Sequence, residues 1–439
     1  MSSEWVSKRL GDCCLKIGSG ATPKGGKDAY LENGPFKLIR SQNVYNDGFS
    51  PNGLTYIGEE QARKLDGVAV AAGDVLLNIT GDSVARVCQA PEQHMPARVN
   101  QHVAIIRPNP SLFDARYLRY FLASPSQQSL MLGLAAAGAT RNALTKGMIE
   151  DFIVPCPPLS VQQEIANVLG SLDDRITLLR ETNKTLESIA QAIFKSWFVN
   201  FDPVRAKMEG RQPEGMDEAT AALFSDSFEE SELSLIPRGW SLGHISDLGG
   251  VICGKTPPTS DMSNYGNDVP FITIPDMHGC LVITETARRL STQGADNQKK
   301  KYLPVGSVSV SCIATPGLVA QVTEPSQTNQ QINSVIPHEH WGTAFSLLLL
   351  RGVGNDVRIA GSGGSVFHNL NKSNFEKIKI LLPQETIAQE FDRLIAPFIK
   401  QITENQRQVQ TLIELRDVLL PKLVSGRLRL PNGEELVSA

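Results

Sequence analysis

Little in this 439-residue chain points to a membrane, a disulfide scaffold or a metal centre. Its seven cysteines are scattered and form no Cys-x-x-Cys pair, so we expect reduced thiols and a cytoplasmic protein. No apolar run approaches the roughly 20 residues of a membrane-spanning helix, and the N-terminal Met-Ser-Ser-Glu does not resemble a signal peptide. His338 and His340 lie in a polar stretch, which favours a surface loop over a metal site.

The chain also lacks the basic excess of many nucleic-acid-binding proteins, since its net charge is −4. The acidity is local, however. Residues 201–235 alone carry a net charge of −6, whereas residues 1–158 and residues 236–383 each carry +2. Two mildly basic segments are therefore separated by an acidic connector, a distribution that permits DNA binding without demonstrating it.

A long amphipathic helix is predicted over 159–200. With Asn183 and Ala190 included, its seam positions recur at alternating intervals of four and three, the pattern of a coiled-coil seam. Ser160 and Gln163 form a candidate capping box at its start. The seam residues are Ile165, Leu169, Leu172, Ile176, Leu179, Leu186 and Ile193. The stretch from Ser160 to Phe198 would be about 58 Å long as a helix at roughly 1.5 Å per residue, which suits a spacer that needs a partner helix.

The partner is a second copy of the same pattern, 226 residues further along the chain. The Pro-x-x-Ser-x-x-Gln start at 157–163 recurs as Pro-x-x-Thr-x-x-Gln at 383–389, and it predicts a second helix over 384–426. The second seam contains Phe391, Ile395, Phe398, Ile402, Val409 and Leu412. Pro397 should kink this helix or delay its regular start, and Leu420-Pro421 should end it.

Each seam contains one amide, at positions that do not correspond in the repeat. Asn183 aligns with Val409, and Asn405 aligns with Leu179. A buried asparagine in a coiled-coil seam can set the register of the helices, and a solvated position is the alternative.

The duplication extends into the segments that precede the helices. Trp5 is matched by Trp240, Thr22-Pro23 by Thr256-Pro257, and Asn100-Gln101 by Asn329-Gln330. A period above 200 residues indicates duplicated domains and not a solenoid. We predict a mixed α/β (α+β) fold with a pseudo-two-fold repeat. Its parts are a globular domain at 1–158, a helix at 159–200, an acidic connector at 201–235, a globular domain at 236–383, a helix at 384–426 and a tail at 427–439.

One motif suggests an enzyme but lacks the required context. Residues 249–256 satisfy the phosphate-loop pattern G-x-x-x-x-G-K-T, which requires a helix to start at the Lys-Thr. Pro257 and Pro258 follow at once, and the repeated copy at 17–23 has no equivalent lysine. ATP binding is therefore disfavoured, and no catalytic residue is predicted.

Several segments resemble the specificity subunits of type I restriction–modification systems. The most specific match is Phe194-Lys-Ser-Trp-Phe-Val-Asn-Phe-Asp-Pro-Val-Arg205, which Ala206–Gly210 follows. Residues 227–233, the segment Ile236-Pro-Arg-Gly-Trp240 and the segment Leu420-Pro-Lys-Leu-Val-Ser-Gly426 are also typical of that family. The resemblance covers nearly the full length of the chain.

The resemblance implies a non-catalytic recognition subunit. Its two globular domains would be target-recognition domains, each reading one half of a bipartite sequence in double-stranded DNA. The two helices would pack antiparallel, set the unread gap and dock two methyltransferase subunits, and restriction subunits would join that complex. S-adenosylmethionine, ATP and Mg²⁺ would belong to these partners. A coiled-coil scaffold that binds proteins without reading DNA remains the alternative.

Candidate DNA-binding residues are inferred from loop position and not from a family motif. Arginine suits guanine edges, and asparagine or glutamine suits adenine edges. Structural roles in turns are the alternative at each position. For the Lys299–Lys301 run, which has no counterpart in the first half, a solvated face is favoured over a phosphate contact. The candidates are Lys24, Arg40, Gln42, Asn43, Arg141 and Asn142 in the first half and Lys255, Thr256, His278, Gln330, Gln331 and His368 in the second.

Overall fold

A computed structural model describes residues 5–137, 142–232, 235–313, 315–362 and 371–430. The chain divides into two compact units. The first unit contains residues 1–177 and 410–439, and the second unit contains residues 178–409.

The N-terminal half of the chain is built from short strands. They are β1 (Ser7–Arg9), β2 (Cys14–Ser19), β3 (Phe36–Ile39), β4 (Val44–Tyr45), β5 (Gly48–Phe49), β6 (Thr55–Ile57), β7 (Ala69–Val70), β8 (Val75–Asn78), β9 (Val87–Gln89), β10 (Ala97–Val99), β11 (Val103–Pro108) and β12 (Ile153–Pro155). The helices are α1 (Glu59–Lys64), α2 (Ala115–Ala123), α3 (Pro125–Ala136) and α4 (Lys146–Glu150). Two four-stranded sheets result, ordered β6-β3-β10-β7 and β2-β11-β8-β9.

The first long helix, α5 (Leu159–Lys195), ends in a π-helical turn at Ser196–Asn200. Phe201 then adopts a left-handed backbone with φ of 59°, which redirects the chain into the connector. The connector contains α6 (Asp202–Met208), α7 (Glu218–Ala222) and β13 (Phe228–Glu230).

The second half repeats the plan of the first. Its strands are β14 (Leu235–Pro237), β15 (Ser241–His244), β16 (Gly249–Cys253), β17 (Tyr265–Ile272), β18 (Val282–Ile283), β19 (Arg289–Leu290), β20 (Val308–Ser311), β21 (Val319–Val322), β22 (Gln327–Thr328), β23 (Ile332–Pro337) and β24 (Lys379–Leu382). Its helices are α8 (Ile245–Leu248), α9 (Thr292–Asp296), α10 (Thr343–Ser362) and α11 (Lys372–Glu376). The second long helix, α12, spans Glu385–Ser425.

Strand order demonstrates the internal repeat independently of sequence. The order β16-β23-β20-β21 reproduces β2-β11-β8-β9, and the parallel pair β17 and β22 reproduces β3 and β10. The antiparallel pair β15 and β24 reproduces β1 and β12. The predicted mixed α/β fold with a duplicated domain is therefore confirmed.

The two long helices pack antiparallel, as predicted. In the second unit, Phe194 of α5 contacts Phe391 near the start of α12, and Asn183 contacts Asn405 further along. In the first unit, Asp173 of α5 bonds Arg416 near the end of α12. As the residue number decreases along α5, the number of its contacting residue on α12 increases, which is the antiparallel arrangement.

The predicted ends of these helices need correction. They begin at Leu159 and Glu385, close to the predicted 159 and 384, but Ser160 and Thr386 lie inside the first turn and not at the cap position that the sequence predicted for them. Pro397 does not delay the regular start, and α12 continues past Pro421 to Ser425. The last turn persists because Leu420, Leu423 and Val424 are buried in the first unit's core, which outweighs the missing proline N–H.

The predicted apolar seam residues are all buried or half-buried in the structure. Those that are buried are Ile165, Leu169, Ile176, Leu179, Phe391, Ile395, Ile402 and Val409. Those that are half-buried are Leu172, Leu186, Ile193, Phe398 and Leu412.

The two seam amides, which the repeat does not align, meet each other. Asn405 is 3% exposed, and its Nδ2 donates to Oδ1 of Asn183 at 2.8 Å. Asn183 Nδ2 in turn donates to the carbonyl of Ile402 at 3.2 Å. The repeat relates this polar pair to Leu179 and Val409, which are both buried. One layer of the seam is therefore polar and its repeat-related layer is apolar, which distinguishes one register from others.

Removing one of these amides should destabilise the helix pair. Asn405→Ala leaves Asn183 short of its partner, and we expect a loss of about 1–3 kcal/mol in the free energy of unfolding. Urea unfolding of the purified chain measures the loss. Gln408→Ala, at an exposed position of the same helix, is the matched control. Equal unfolding midpoints for the two variants would contradict a role for the amide pair.

Candidate nucleic-acid interface

One hydrogen bond recurs in both halves, at the loop that follows β2 in the first unit and at the loop that follows β16 in the second. In the first unit, Thr22 Oγ1 donates to Gln101 Oε1 at 2.6 Å. In the second, Thr256 Oγ1 donates to Gln330 Oε1 at 2.5 Å. All four side chains belong to positions matched in the repeat. The duplication has therefore preserved an exposed polar contact between strand-end loops, and not only the core.

The first unit has a cleft of about 700 Å³ at the ends of β3, β8 and β11. Gln42 and Asn142, two of the predicted residues, line it together. The other lining residues are Ser41, Tyr45, Thr80, Gly81, Asp82, Ser83, Arg86 and His102. The cleft therefore presents amide, hydroxyl, carboxylate and guanidinium groups, the side chains that read base edges.

The cleft is connected to the repeated Thr–Gln contact through His102. Its Nδ1 lies 2.5 Å from Thr80 Oγ1, and its Nε2 lies 2.8 Å from Nε2 of Gln101. Gln101 in turn accepts from Thr22. The loop that carries exposed Lys24 is thus linked to the cleft by a series of hydrogen bonds. Gln101 and His102 take part in this series, although neither was among the candidates predicted from the sequence.

Among the described residues that line the cleft, Arg86 is the arginine, and it too was absent from the sequence-based candidates. Its guanidinium lies over the ring of Tyr45, 4.8 Å from the centroid. Tyr45 belongs to the β4–β5 hairpin. The signal for this residue was the Gly81-Asp82-Ser83 turn directly after a buried strand, followed by a single arginine.

A largely buried ionic cluster around Asp173 is hydrogen-bonded to the β4–β5 hairpin through Arg119. Arg119 on α2 donates to the carbonyl of Asn46 at 2.6 Å and to Asp173 on α5 at 2.8 Å. Tyr120 and Arg416 also bond Asp173, at 2.7 and 3.0 Å. Burial raises the pKa of Asp173, but these partners outweigh burial and hold the pKa below its usual range. The cluster therefore keeps a charged carboxylate between α2 and the two long helices.

Three candidates of the first half, Arg40, Gln42 and Asn43, make hydrogen bonds within the protein. Arg40 and Gln42 both donate to the carbonyl of Gly53, at 2.6 and 3.0 Å. Asn43 is fully buried, accepts from the backbone N–H of Arg40 and donates to the carbonyls of Ser50 and Asn52. Its amide thus has no donor left for a base. Arg141 lies outside the described residues.

In the second unit, several candidates lie beside the repeated contact. Lys255 is exposed next to Thr256, and its carbonyl accepts from Gln298 at 3.0 Å. Lys301 donates to the carbonyl of Cys253 at 2.8 Å, which places the Lys299–Lys301 run against this loop. Gln331 is bonded to Asn329 at 3.2 Å. His278 is exposed at the end of a 3₁₀ turn, and His368 lies outside the described residues.

The 3₁₀ turn that precedes His278 has a counterpart in the first unit, at Ser41–Asn43, and the comparison shows the structural role of Asn43. Asp276 Oδ2 accepts from the backbone N–H of Thr273 at 2.7 Å, as Asn43 Oδ1 accepts from Arg40 at 3.0 Å. The turn at Asn43 follows β3, and the turn at Asp276 follows β17, the strand that corresponds to β3 in the repeat. These two residues cap equivalent turns.

The phosphate-loop pattern has the wrong local structure. Gly249–Cys253 forms strand β16, which pairs with β23, and the N–H of Lys255 donates to the carbonyl of Thr328. That N–H is therefore unavailable to a phosphate. Within the described ranges, no cluster of histidine, cysteine and carboxylate side chains could hold a metal ion. No described helix combines the length and apolarity required to cross a membrane.

Comparison with known proteins identifies the family. The model of the type I restriction modification DNA specificity domain matches residues 2–188 and again residues 237–411. The chain belongs to this family. It is 34% identical to the type I restriction enzyme HindI specificity subunit of Haemophilus influenzae, over 97% of this chain and 100% of that one. It is 26% identical to the MjaIX specificity subunit of Methanocaldococcus jannaschii, over 76% of this chain and 73% of that one.

A solved structure supports the fold. The S subunit of the type I restriction–modification system from M. genitalium superposes with a TM-score of 0.60 at 13% identity, covering 96% of each chain. The family model and the 34% identical relative show that the chain is the DNA-specificity subunit of a type I system, a recognition component and not a catalyst. Within this family, cofactors are generally carried by the modification and restriction subunits.

The motif most typical of this family forms core packing in the second unit. Phe194, Trp197 and Phe198 of the motif all contact Phe391 on α12, with ring centroids 5.0–5.8 Å apart. Phe201, also in the motif, lies 5.4 Å from Trp240 at a right angle. The aromatic residues of the motif therefore stabilise the core of the second unit.

Proposed function

We propose that the polar strand-end loops of each unit read one half of a bipartite DNA target. The supporting observation is the repeated Thr–Gln contact, which occurs beside an exposed lysine in each half: Lys24 near Thr22 and Lys255 next to Thr256. The surrounding side chains differ between the halves, as expected of two readers of different sequences.

The contacting residues are proposed from exposure and position. In the first unit the cleft residues Gln42 and Asn142 face the target, with Lys24 on a phosphate. Lys255, His278 and Gln330 serve the second unit, and Lys299 and Lys300 supply phosphate contacts. Arg141 and His368 stay candidates by sequence position.

We infer the rest of the complex from what is typical of the family. Two methyltransferase subunits dock on the helices and bind S-adenosylmethionine, and restriction subunits bind ATP and Mg²⁺. The target base must leave the duplex to be methylated, so this subunit positions DNA without reacting with it. The length of α5 and α12 sets the number of unread base pairs, and the complex works in the cytoplasm.

Methylation mapping tests the proposal directly. A genome that carries this chain and its methyltransferase partner should show a split motif with one methylated adenine in each half. Exchanging residues 1–158 for those of another specificity subunit should change one half-site and leave the other intact. A change in both halves, or no bipartite motif from an assembled complex, would refute the assignment of one half-site to each domain.

Salt dependence separates this proposal from the protein-scaffold alternative. If the units contact phosphates, the affinity of the assembled complex for duplex DNA should fall steeply as salt rises from 50 to 200 mM, by about 10³-fold for six phosphate contacts. An affinity that is weak and insensitive to salt would favour the scaffold. The methyltransferase subunit without this chain is the control.

A further inference from the structure

We propose that Arg86 reads a guanine in the half-site of the first unit, an inference that rests on the proposed function. The side chain is half-buried in the cleft, and its guanidinium carbon Cζ lies over the ring of Tyr45, 4.8 Å from the centroid. Among the described residues, its side chain makes no hydrogen bond or ion pair. A cation–π contact uses none of the guanidinium N–H groups as hydrogen-bond donors, so they remain available to a planar pair of acceptors.

The other shielded arginines of this unit are already committed. Arg40 donates to Gly53, Arg98 to Asp66 and Arg107 to Asp74, while Arg119 and Arg416 both bond Asp173. Arg86 is thus the exception among them, since its position is determined by protein contacts but its donors are not used by them. A guanidinium that is held in place with free donors is suited to an external ligand.

The backbone of Arg86 is held in place on both sides. Its carbonyl accepts from the N–H of Asn78 at 2.8 Å, and the next N–H, of Val87, donates to Oδ1 of Asn46 at 2.9 Å. The preceding residue, Ala85, is buried in a left-handed conformation with φ of 72°. Gln128 bonds the Ala85 carbonyl at 2.8 Å. Such a conformation is unfavourable for alanine, and it persists because several contacts impose it.

The composition of the cleft favours a base edge over a phosphate. Asp82 lies in the same cleft, four residues before Arg86, and its carboxylate would repel a phosphate. The same carboxylate complements cytosine, whose N4 amino group is a donor in the major groove. Guanine offers O6 and N7, which a guanidinium can contact together. Arg86 and Asp82 therefore match the two bases of a G·C pair.

The test uses the assembled methyltransferase complex and duplexes that carry its mapped target. For the wild type, replacing one G·C pair of the first half-site by A·T should reduce affinity about 5- to 150-fold. With Arg86→Ala, this discrimination should disappear at that position only. Arg86→Lys, which keeps the charge but not the paired donors, should also lose it. Arg63→Ala, at an exposed position that does not line the cleft, should retain it.

A test that needs no variant is substitution of 7-deazaguanine, which removes the N7 acceptor, in the wild-type target. Affinity should fall at the same position. Uniform weakening of Arg86→Ala on all sequences would indicate a phosphate contact and overturn the inference. Unchanged discrimination, or a first half-site without a G·C pair, would overturn it as well. A wild-type complex without any bipartite motif would instead refute the proposed function.

Discussion

Asp173→Ala should destabilise the first unit by about 3–5 kcal/mol, because it leaves two shielded guanidinium groups without their shared carboxylate. Arg119 and Arg416 both bond Asp173 and are 9% and 17% exposed in their side chains. Water can therefore restore little of the lost interaction. Tyr120 loses its acceptor as well.

Chemical denaturation and hydrogen exchange of the purified full chain measure this effect. Exchange should increase in the part of α5 within residues 159–177 and in residues 410–425. It should also increase in the β4–β5 hairpin, because Arg119 connects Asp173 to Asn46. Asp174→Ala, at the exposed neighbouring position, is the control. Equal stability of the two variants would show that the cluster adds nothing to folding.

The pH dependence gives a second readout. The pKa of Asp173 is lower in the folded chain than in the unfolded one, where it is about 3.9. Its contribution is therefore complete above about pH 4 and is lost as the pH falls through the folded-state pKa. The stability difference between wild type and Asp173→Asn should narrow in acid. A difference that stays constant down to pH 2 would contradict an electrostatic origin.

The repeat shows that helix packing alone does not require this cluster. The offset of 226 relates Asp173 to Ile399 and Arg416 to Ala190, and both of these residues are buried and apolar. Buried ion pairs are often no more stabilising than apolar residues of similar volume. The first unit thus retains charges where the second does not, and the contact from Arg119 to the hairpin gives these charges a connection to the cleft.

Internal repetition explains why so much of the fold could be predicted. Two seams of the same period predicted two helices that cover each other, since neither stripe could stay exposed. Helix ends were harder, because packing of Leu423 and Val424 carries α12 past Pro421, where local propensity predicts an end. The Asn183–Asn405 contact was also hidden, since antiparallel packing joins positions that the sequence offset does not align.

The candidate site was less predictable than the fold. Asparagine is favoured both at turn caps and in polar contact surfaces, so the sequence does not distinguish buried Asn43 from Asn142 in the cleft. Arg86 was missed for a different reason. Its importance depends on the stacked ring of Tyr45, which lies 41 residues earlier in the chain and meets it only through the fold.

Phe391→Ala should destabilise the second unit by about 3–5 kcal/mol, because it removes a fully buried ring from the centre of an aromatic cluster. Phe391 contacts Phe194, Trp197 and Phe198 with ring centroids 5.0–5.8 Å away, mostly edge to face. The cost combines the lost burial, the cavity that remains and the lost ring contacts. Since three partners belong to the family motif, the variant also tests the structural role of that motif.

Guanidinium unfolding followed by tryptophan fluorescence suits this measurement, since Trp197 lies against the lost ring. Phe391→Leu should recover much of the stability, because it refills most of the cavity. Leu394→Ala, on the same helix at a position 38% exposed, should cost far less. If Phe391→Ala and Leu394→Ala lose equal stability, the cluster is not the packing centre of the unit. The motif at 194–205 would then need a role in partner binding to account for its residues.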